Sequence, residues 1–532
     1  MPPVIAAVTG TIALAAFSAG APMVVANAIV GVGVAGAVLS AAVTTAITIG
    51  ASYAIAKLTA PPIPKPSNGA LEFKAPIPAR FFTYGGVKIS GPIILLETSH
   101  DTPHSFLNKI TALGTRELGS FQKLFFNGKD QSIYIIPVPG EPGVFDSGLI
   151  FESDGSHGFV RLHIGGINQT VDTKADLEMP YWTTAHRLRS IPYAYAQLWS
   201  GATAQDWQNV FPNGAPEIAV VGGVRVYDPR KDSTNGGSGS HRRLDPETWE
   251  YSDNQRLCVL DWLTWKDGYA KPWGRIDWAS WVPQINLADE LVPLKGGGSE
   301  KRYRVATRVS YDEPRSRVLH RLLQAGDQQL FTTQDGLIGS RGGVWAGPTV
   351  SIDAESDFNE AFFQHGVSMM ERINEFELTC MLPERDYSEF ELEPWANQAD
   401  PEHIAGIIRR MPLDLSMVPS QTQAQRLAKI YMAKRNPKWS GTVRSNFAGL
   451  DAIGEDKINL QFAELHTTAD PFNGPYWING QISFLPDRTG VTFPVSSADP
   501  DSYAWVPSID EQDLPEAPAD ALEMVQEERE AA

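Results

Sequence analysis

The chain has 532 residues, 42% of them hydrophobic and 20% charged, with a formal net charge of −18. That length exceeds one core and implies about two to four domains of ~100–200 residues, and the acidic balance argues against tightly held nucleic acid, because phosphate contacts need clustered Lys and Arg. Two distant cysteines, Cys258 and Cys380, exclude a disulfide framework and a Cys-based zinc site and fit assembly in a reducing cytoplasm.

No charged residue occurs between Pro2 and Ala56; Lys57 is the first after the start Met. This Ala-, Val-, Ile- and Gly-rich run divides at Ser18–Pro22 into stretches of about 15 and about 34 residues. Since ~20 helical residues cross a ~30 Å hydrocarbon layer, residues 1–59 are read as an apolar helical segment. It has no basic n-region, unlike a secretory signal, and no Arg, Lys, Trp or Tyr belt on its N-terminal side, unlike an ordinary anchor. Small residues four apart (Gly33 with Ala37, Ala16 with Gly20) allow close helix approach. Gly20, Gly33 and Ala37 are therefore candidate packing positions, in a bundle inside an assembled particle, in a membrane, or in both in succession. GVGVAG (Gly31–Gly36) fits GxGxxG, but no acid precedes Glu72 and no βαβ unit surrounds it, so it is not a dinucleotide site. Residues 60–76, opening APPIPKPSNG, form a Pro-rich linker.

Residues 77–232 read as a first β domain. Ala79–Glu97 supplies two strands around Gly85-Gly86, a hairpin-type signal. Strands follow near Phe106–Gly114, Leu118–Phe126, Ser132–Pro137 and Phe159–Ile164, with turn signals about every ten residues. IPYAYAQLWS (Ile191–Ser200) alternates like a half-buried strand, Thr203–Val210 connects, and Pro216–Tyr227 returns as a strand. Val220–Thr264 then reads as a strand with a bulge at Gly222-Gly223, a mobile polar loop (STNGGSGS, Ser233–Ser240) and a helix. Ser252-Asp253-Asn254 caps that helix, which buries Leu257, Val259, Leu260 and Leu263.

Residues 233–300 combine this Gly/Ser loop with a Trp-rich helical segment. Trp262, Trp265, Trp273, Trp278 and Trp281 suit a core or a subunit interface better than a ligand cage, and are candidate interface anchors. Trp281–Leu294 reads as a helix. The middle α+β domain, 301–384, has a strand at Lys301–Tyr311, a helix at Pro314–Gly326 and a strand at Glu371–Met381. The helix places Val318, Leu319, Leu322 and Leu323 on one face and Arg315, Arg317 and Arg321 on a solvated one. Residues 385–507 form a second β domain with a helix at 421–435, whose stripe is Ala424, Leu427, Ala428, Tyr431 and Met432. Its strands are Asn459–His466, Trp477–Leu485 and Gly490–Pro494. Residues 508–532 read as an acidic, disordered tail, with nine acids against Arg529 from Ile509 onward.

Catalytic sets are missing: there is no HExxH, P-loop or GxSxG. HDTPH (His100–His104) puts two His and an Asp in one loop, but a site would need convergent partners from elsewhere. No enzyme activity, metal or cofactor is expected.

Ordered motifs along residues 77–505 resemble the central tail hub, or tip attachment, proteins of long-tailed (siphovirus-type, lambda-like) bacteriophages. They include Arg80, Tyr84-Gly85, Ser90-Gly91-Pro92 and Glu97; the strand ending VYDPR (Val226–Arg230); WEYSDNQRLCVLDWL (Trp249–Leu263); PERDY (Pro383–Tyr387); and QAQRLA (Gln423–Ala428). Two departures are Ala288-Asp289-Glu290, without the family's Cys, and Glu455-Asp456 in place of Gly-Asp. The resemblance implies a mainly β fold with α insertions (α+β), built of tail-tube-like β-barrel or sandwich domains. It implies a structural virion protein, a homotrimer at the distal tail end that closes the tube and opens for DNA ejection. Implied partners are distal tail and tape-measure proteins, other tail-tip or receptor-binding proteins, passing phage DNA and, through the N-terminal segment, the host membrane. Longer family members continue into adhesion modules, so receptor recognition is expected to lie elsewhere. The alternatives are a membrane-active pore former acting through residues 3–56, and an anchored envelope-degrading enzyme.

Overall fold

The computed structural model describes residues 79–513, except 100–105, 133–134, 153–154, 200–203, 212–213, 354–355, 369–370, 398–399, 463–471 and 487–488. The apolar segment with Gly20, Gly33 and Ala37, the linker, HDTPH and the chain beyond Asp513 lie outside the described residues.

The first module contains β1 (Phe81–Tyr84), β2 (Val87–Ile89), β3 (Ile93–Ser99), β4 (Phe106–Ala112), β5 (Leu118–Phe126), β6 (Lys129–Asp130), β7 (Ile136–Pro137), β8 (Val144–Glu152) and β9 (Gly155–His163). Helix α1 (Thr173–Glu178), β10 (Tyr193–Trp199), α2 (Ala204–Val210), β11 (Ile218–Val226) and β12 (Glu250–Tyr251) complete it. One sheet runs β3-β4-β10-β9-β8-β7; the other runs β12-β11-β5-β6, with β2 also paired to β11. Period-two alternation decides which way each side chain faces. On β10, Ala194, Ala196 and Leu198 enter the core shared by the two sheets. Tyr193 and Tyr195 point the other way and pack with Ile110, Ala175, Met179 and Trp182.

The hairpin expected around Gly85-Gly86 does not form. β1 pairs instead with β15 (Thr307–Ser310), and β2 pairs with β11. Gly85 permits this crossing between sheets: its φ is +65°, and a Cβ there would lie 1.9 Å from the Val305 carbonyl oxygen. The bulge expected at Gly222-Gly223 is present as register shifts on either side of that pair.

The centre is built on α3 (Gln255–Thr264), whose first nine residues are all buried. Around it lie α4 (Trp278–Asp289), α5 (Arg315–Gln324), α7 (Gln421–Arg435) and the small β pairs β13–β14 (Leu291–Pro293, Ser299–Lys301) and β16–β17 (Gln328–Thr332, Ile338–Gly342), while α6 (Pro401–Ile404) is a single turn between two later strands. Beyond β18 and β19 (Val350–Asp353, Phe358–His365) the chain enters a central four-stranded sheet. In it β20 (Glu375–Leu382) pairs with β21 (Ser388–Glu391), β22 (Trp395–Ala396) and β23 (Arg410–Leu415). This sheet spans the expected boundary at 384/385, because β20 and β21 lie on either side of it. The helix expected at 421–435 has those bounds; Ser420 caps it through its hydroxyl, and Ala424, Leu427, Ala428 and Met432 join the central core.

The second module draws its strands from two parts of the chain. Its sheet runs β18-β25-β26-β28-β24-β19, where β24 is Trp439–Ser445, β25 Lys457–Gln461, β26 Gly474–Ile478 and β28 Val491–Ser497; β27 (Ser483–Phe484) pairs with β28. The edge strands β18 and β19 are separated in sequence by only residues 354–357, and Asp357 N donates to Asp353 O at 2.8 Å. Two edges tied by so short a link must approach each other at that end, so the sheet curls into a partial barrel. Val443, Ile458, Leu460, Tyr476, Val491 and Phe493 fill it.

Candidate functional site

Val220–Thr264, the strand–loop–helix stretch, is the joint between the first module and the centre. Its loop was expected to be mobile, yet it is closed by hydrogen bonds around the buried Asp232. Asp232 accepts from Tyr227 OH (2.8 Å), Thr234 N (2.8 Å), Thr234 Oγ1 (2.6 Å) and Arg242 (3.3 Å). Ser238 N donates to Arg230 O at 2.8 Å, and His241 N donates to Lys231 O at 3.0 Å. Burial opposes the charge on Asp232, but hydrogen bonds from Thr234 and Tyr227 hold its carboxyl below the usual range. A loop without apolar residues is thus organised by one acid.

Beside the loop lies a cleft of about 350 Å3 whose walls include Asp228, Arg230, His241, Glu250, Asp253, Asp289 and Lys301. Its charges are paired across elements: Arg230 with Asp228 (2.7 Å) and Asp289 (2.8 Å), Lys301 with Asp253 (3.1 Å) and Asp289 (3.2 Å), and Lys231 with Glu250. Burial works against the Asp289 carboxylate, but Arg230 and Lys301 offset it and lower its pKa. His241 is buried; its Nδ1 accepts from Asp228 N at 3.1 Å, so Nε2 carries the proton in the neutral ring. Burial lowers the His241 pKa against the opposing pull of Glu250.

A second constellation sits at the base of α3. Arg116 grips Asp261 with two hydrogen bonds (2.7 and 3.1 Å), and Tyr84 OH donates to the same carboxylate at 2.5 Å. All three are buried, and burial together with Asp261 raises the Tyr84 pKa well above its usual value. Arg116 also stacks 3.8 Å over Trp265. Sequence reading missed this triad, because Arg116 and Asp261 are 145 residues apart. The available signal was an acid inside the apolar run LCVLDWL, which demands a buried partner.

Of the five Trp residues expected at an interface, Trp262 and Trp281 are 2% and 0% exposed, so neither has surface to offer a partner. Their indole N–H groups donate within the chain, to Arg315 O (3.3 Å) and Ile338 O (3.0 Å). Trp265 is occupied by Arg116. Trp273 and Trp278 are half-buried and stack at 6.1 Å, with Tyr227 set edge-on to both.

Chemically, the arrangement suits holding more than reacting. The cleft's carboxylates face cations, and burial raises the pKa of both thiols, Cys380 to about 12. No group of three or more His, Cys, Asp or Glu is placed to hold a metal among the described residues.

No protein-family model matches the chain, and no curated protein is similar enough to count as a relative. Among solved structures the chain is similar to one from the virion of a native gene transfer agent particle, with 15% identity and a TM-score of 0.52. That likeness covers 87% of this chain and 97% of the other, so it extends over both β modules and the centre. It is a likeness of fold. The 43 kDa tail protein of prophage MuSo2 from Shewanella oneidensis (9% identity, TM-score 0.27, 80% and 99% covered) and prophage tail protein gp18 from Listeria monocytogenes (10%, 0.24, 79% and 95%) align far more loosely and carry no weight.

Proposed function

We propose that the protein is a structural component of a phage-like virion tail and, within it, the hub at the distal tip. The observation that supports this most is the fold shared along nearly the whole length of a virion chain. The ordered hub-like motifs of residues 77–505 agree with it. Two β modules on one helical centre suit a chain that bridges rings of different symmetry as a trimer. In this reading the ring closes the tube and opens when receptor engagement elsewhere releases tape-measure protein and DNA. The protein acts as scaffold, without catalysis or cofactor, which agrees with the internally paired charges of the cleft. Trp273, Trp278 and the Asp232 loop offer contact surface to neighbouring tail proteins.

The test is the mass of the full chain in mild detergent together with its position in purified particles. A trimer, and antibody labelling at the distal tail end, are expected. A monomer that labels no particle refutes the tail reading; a trimer labelling elsewhere on the tail refutes only the hub.

A further inference from the structure

Large aliphatic side chains crowd the surface where α6 leads into β23. Ile404, Ile407, Ile408 and Met411 are 73%, 48%, 51% and 40% exposed. The turn that carries them is fixed from beneath. Buried Asn374 donates through Nδ2 to Ile407 O (2.7 Å) and accepts from Arg409 N (2.8 Å). Buried Glu375 meets His403 Nε2 at 3.0 Å and accepts from Arg410 Nε at 2.5 Å. Asp400 accepts from Glu402 N at 2.8 Å and pairs with Arg372, while Glu402 pairs with Arg409 at 2.8 Å. The exposure is therefore built in and does not come from a loose loop. Clustered exposed aliphatics mark interaction sites, and a knob held this firmly gives up little conformational freedom on docking.

Next to this knob lies a groove of about 630 Å3, with Trp395, Met432 and Ala433 of α7, and Ile509 in its apolar walls. Arg372 and Asp400, which brace the knob, also line the groove, so the two features share one side of the molecule. In the groove Arg372 is matched by Asp400 and Lys429 by Asp510 at 2.9 Å. Asp499 and Asp501 are exposed there and make no ion pair among the described residues. The groove thus keeps spare negative charge, and beside the knob Arg410 stands half exposed over its buried acid. An apolar prominence with an outward cation and an apolar groove with spare carboxylates complement each other in shape and in charge. The knob is exposed, so it does not fill the groove of its own chain.

We infer that the knob Ile404–Met411 of one copy docks in the groove between Trp395, Met432 and Ile509 of a second copy of this chain. Knob and groove sit side by side, so the contact lies close to the axis that relates the copies. The inference deepens the trimer reading by naming its contact, and it rests on that reading only for the number of copies. A lipid surface suits the site less: Arg372, Arg409 and Arg410 are each matched by an acid, which leaves anionic headgroups little to draw on.

The test uses the full chain in mild detergent. Ile408→Asp puts a carboxylate where the apolar contact forms and should weaken self-association on the order of 30-fold by sedimentation. Its thermal melting should be unchanged, because Ile408 is exposed, and this checks the fold. Leu177→Asp, exposed in the first module, should associate as the parent does. Chains carrying Ile408→Cys and Ile509→Cys, co-expressed and treated with a short bis-maleimide, should yield linked pairs. Neither chain alone should do so, since the native thiols Cys258 and Cys380 are buried. A monomeric parent overturns this inference and the trimer together. If Ile408→Asp associates like the parent, or the mixed Cys chains link no better than either alone, the inference falls while the trimer reading stands. Binding to vesicles or to another protein that Ile408→Asp abolishes, with self-association intact, would give the knob to that occupant and overturn the inference as well.

Discussion

The two β modules are joined to the same centre in different ways. The first is welded to it. β1 pairs with β15, β11 runs directly into the Asp232 loop and α3, and the buried Arg116–Asp261 pair crosses the seam. The second is attached by side chains over a short joint. There Lys434 Nζ, from the centre, lies 4.8 Å from the Trp477 ring, Lys457 of the second module itself lies 4.8 Å from the same ring, and Trp345 packs edge-on to it at 5.9 Å. Lys434 also pairs with Asp327 at 2.6 Å, and Tyr503 OH donates to the same acid at 2.9 Å. A seam of shared strands and buried charge should hold until the core itself melts. A seam of aromatic and cationic side-chain contacts, without shared strands, can open at lower cost, so motion between parts is expected at the second module.

The largest effect should come from Asp261→Ala. It leaves the Arg116 guanidinium buried and unpaired, at a cost of about 3–5 kcal/mol, and should lower the main transition in chemical denaturation. If stability is unchanged, the buried pair does not join the first module to the centre. Phe493→Ala removes a ring from the small second core at a similar or slightly smaller cost, about 3–5 kcal/mol. Hydrogen exchange should show faster opening of β24, β25 and β28 while β5 and β11 stay protected; uniform acceleration would mean the modules unfold as one.

Trp477→Ala should cost less, about 1–2 kcal/mol from two cation–π contacts. Its mark would be a low-temperature shoulder in calorimetry, absent from the parent, as the second module uncouples. The smallest effect is the response to acid. Asp172 caps α1 and meets Arg161 at 3.0 Å and His163 at 2.6 Å. Burial raises its pKa, but His163 and Arg161 more than reverse this and leave it lowered. A depressed carboxyl stabilises the fold above its unfolded pKa, about 3.9, and that contribution is lost as pH falls through the lower folded value. Between pH 5 and 2 the parent should therefore lose melting temperature more steeply than Asp172→Asn; parallel curves would remove Asp172 from the account.

What the sequence made legible follows the same division. Elements set by local pattern came out with their observed bounds, as at Leu118–Phe126 and Gln421–Arg435, where periodicity and a Ser cap suffice. Asn254, within the expected capping triplet, does cap α3 through its side chain. Pairing over long sequence distance left no such trace. Gly85-Gly86 reads locally as a hairpin, and only the backbone of residues 305–310 turns it into a crossing between sheets. The second module could not be bounded, because β18 and β19 precede its other strands by more than 70 residues. The polar loop misled for a related reason: composition registers the lack of apolar residues but not that Asp232 is buried beneath it. Two of the Trp residues proved to be core, because an aromatic cluster in sequence does not reveal which rings face inward.

The partnership of β1 with β15 also sets a timetable for synthesis. Tyr84 pairs with Thr307, so at translation rates of ~5–20 residues per second β1 waits roughly 10–45 s for its partner strand to be made. The first module can gather its two sheets during that interval, but its opening strand must stand idle on the nascent chain.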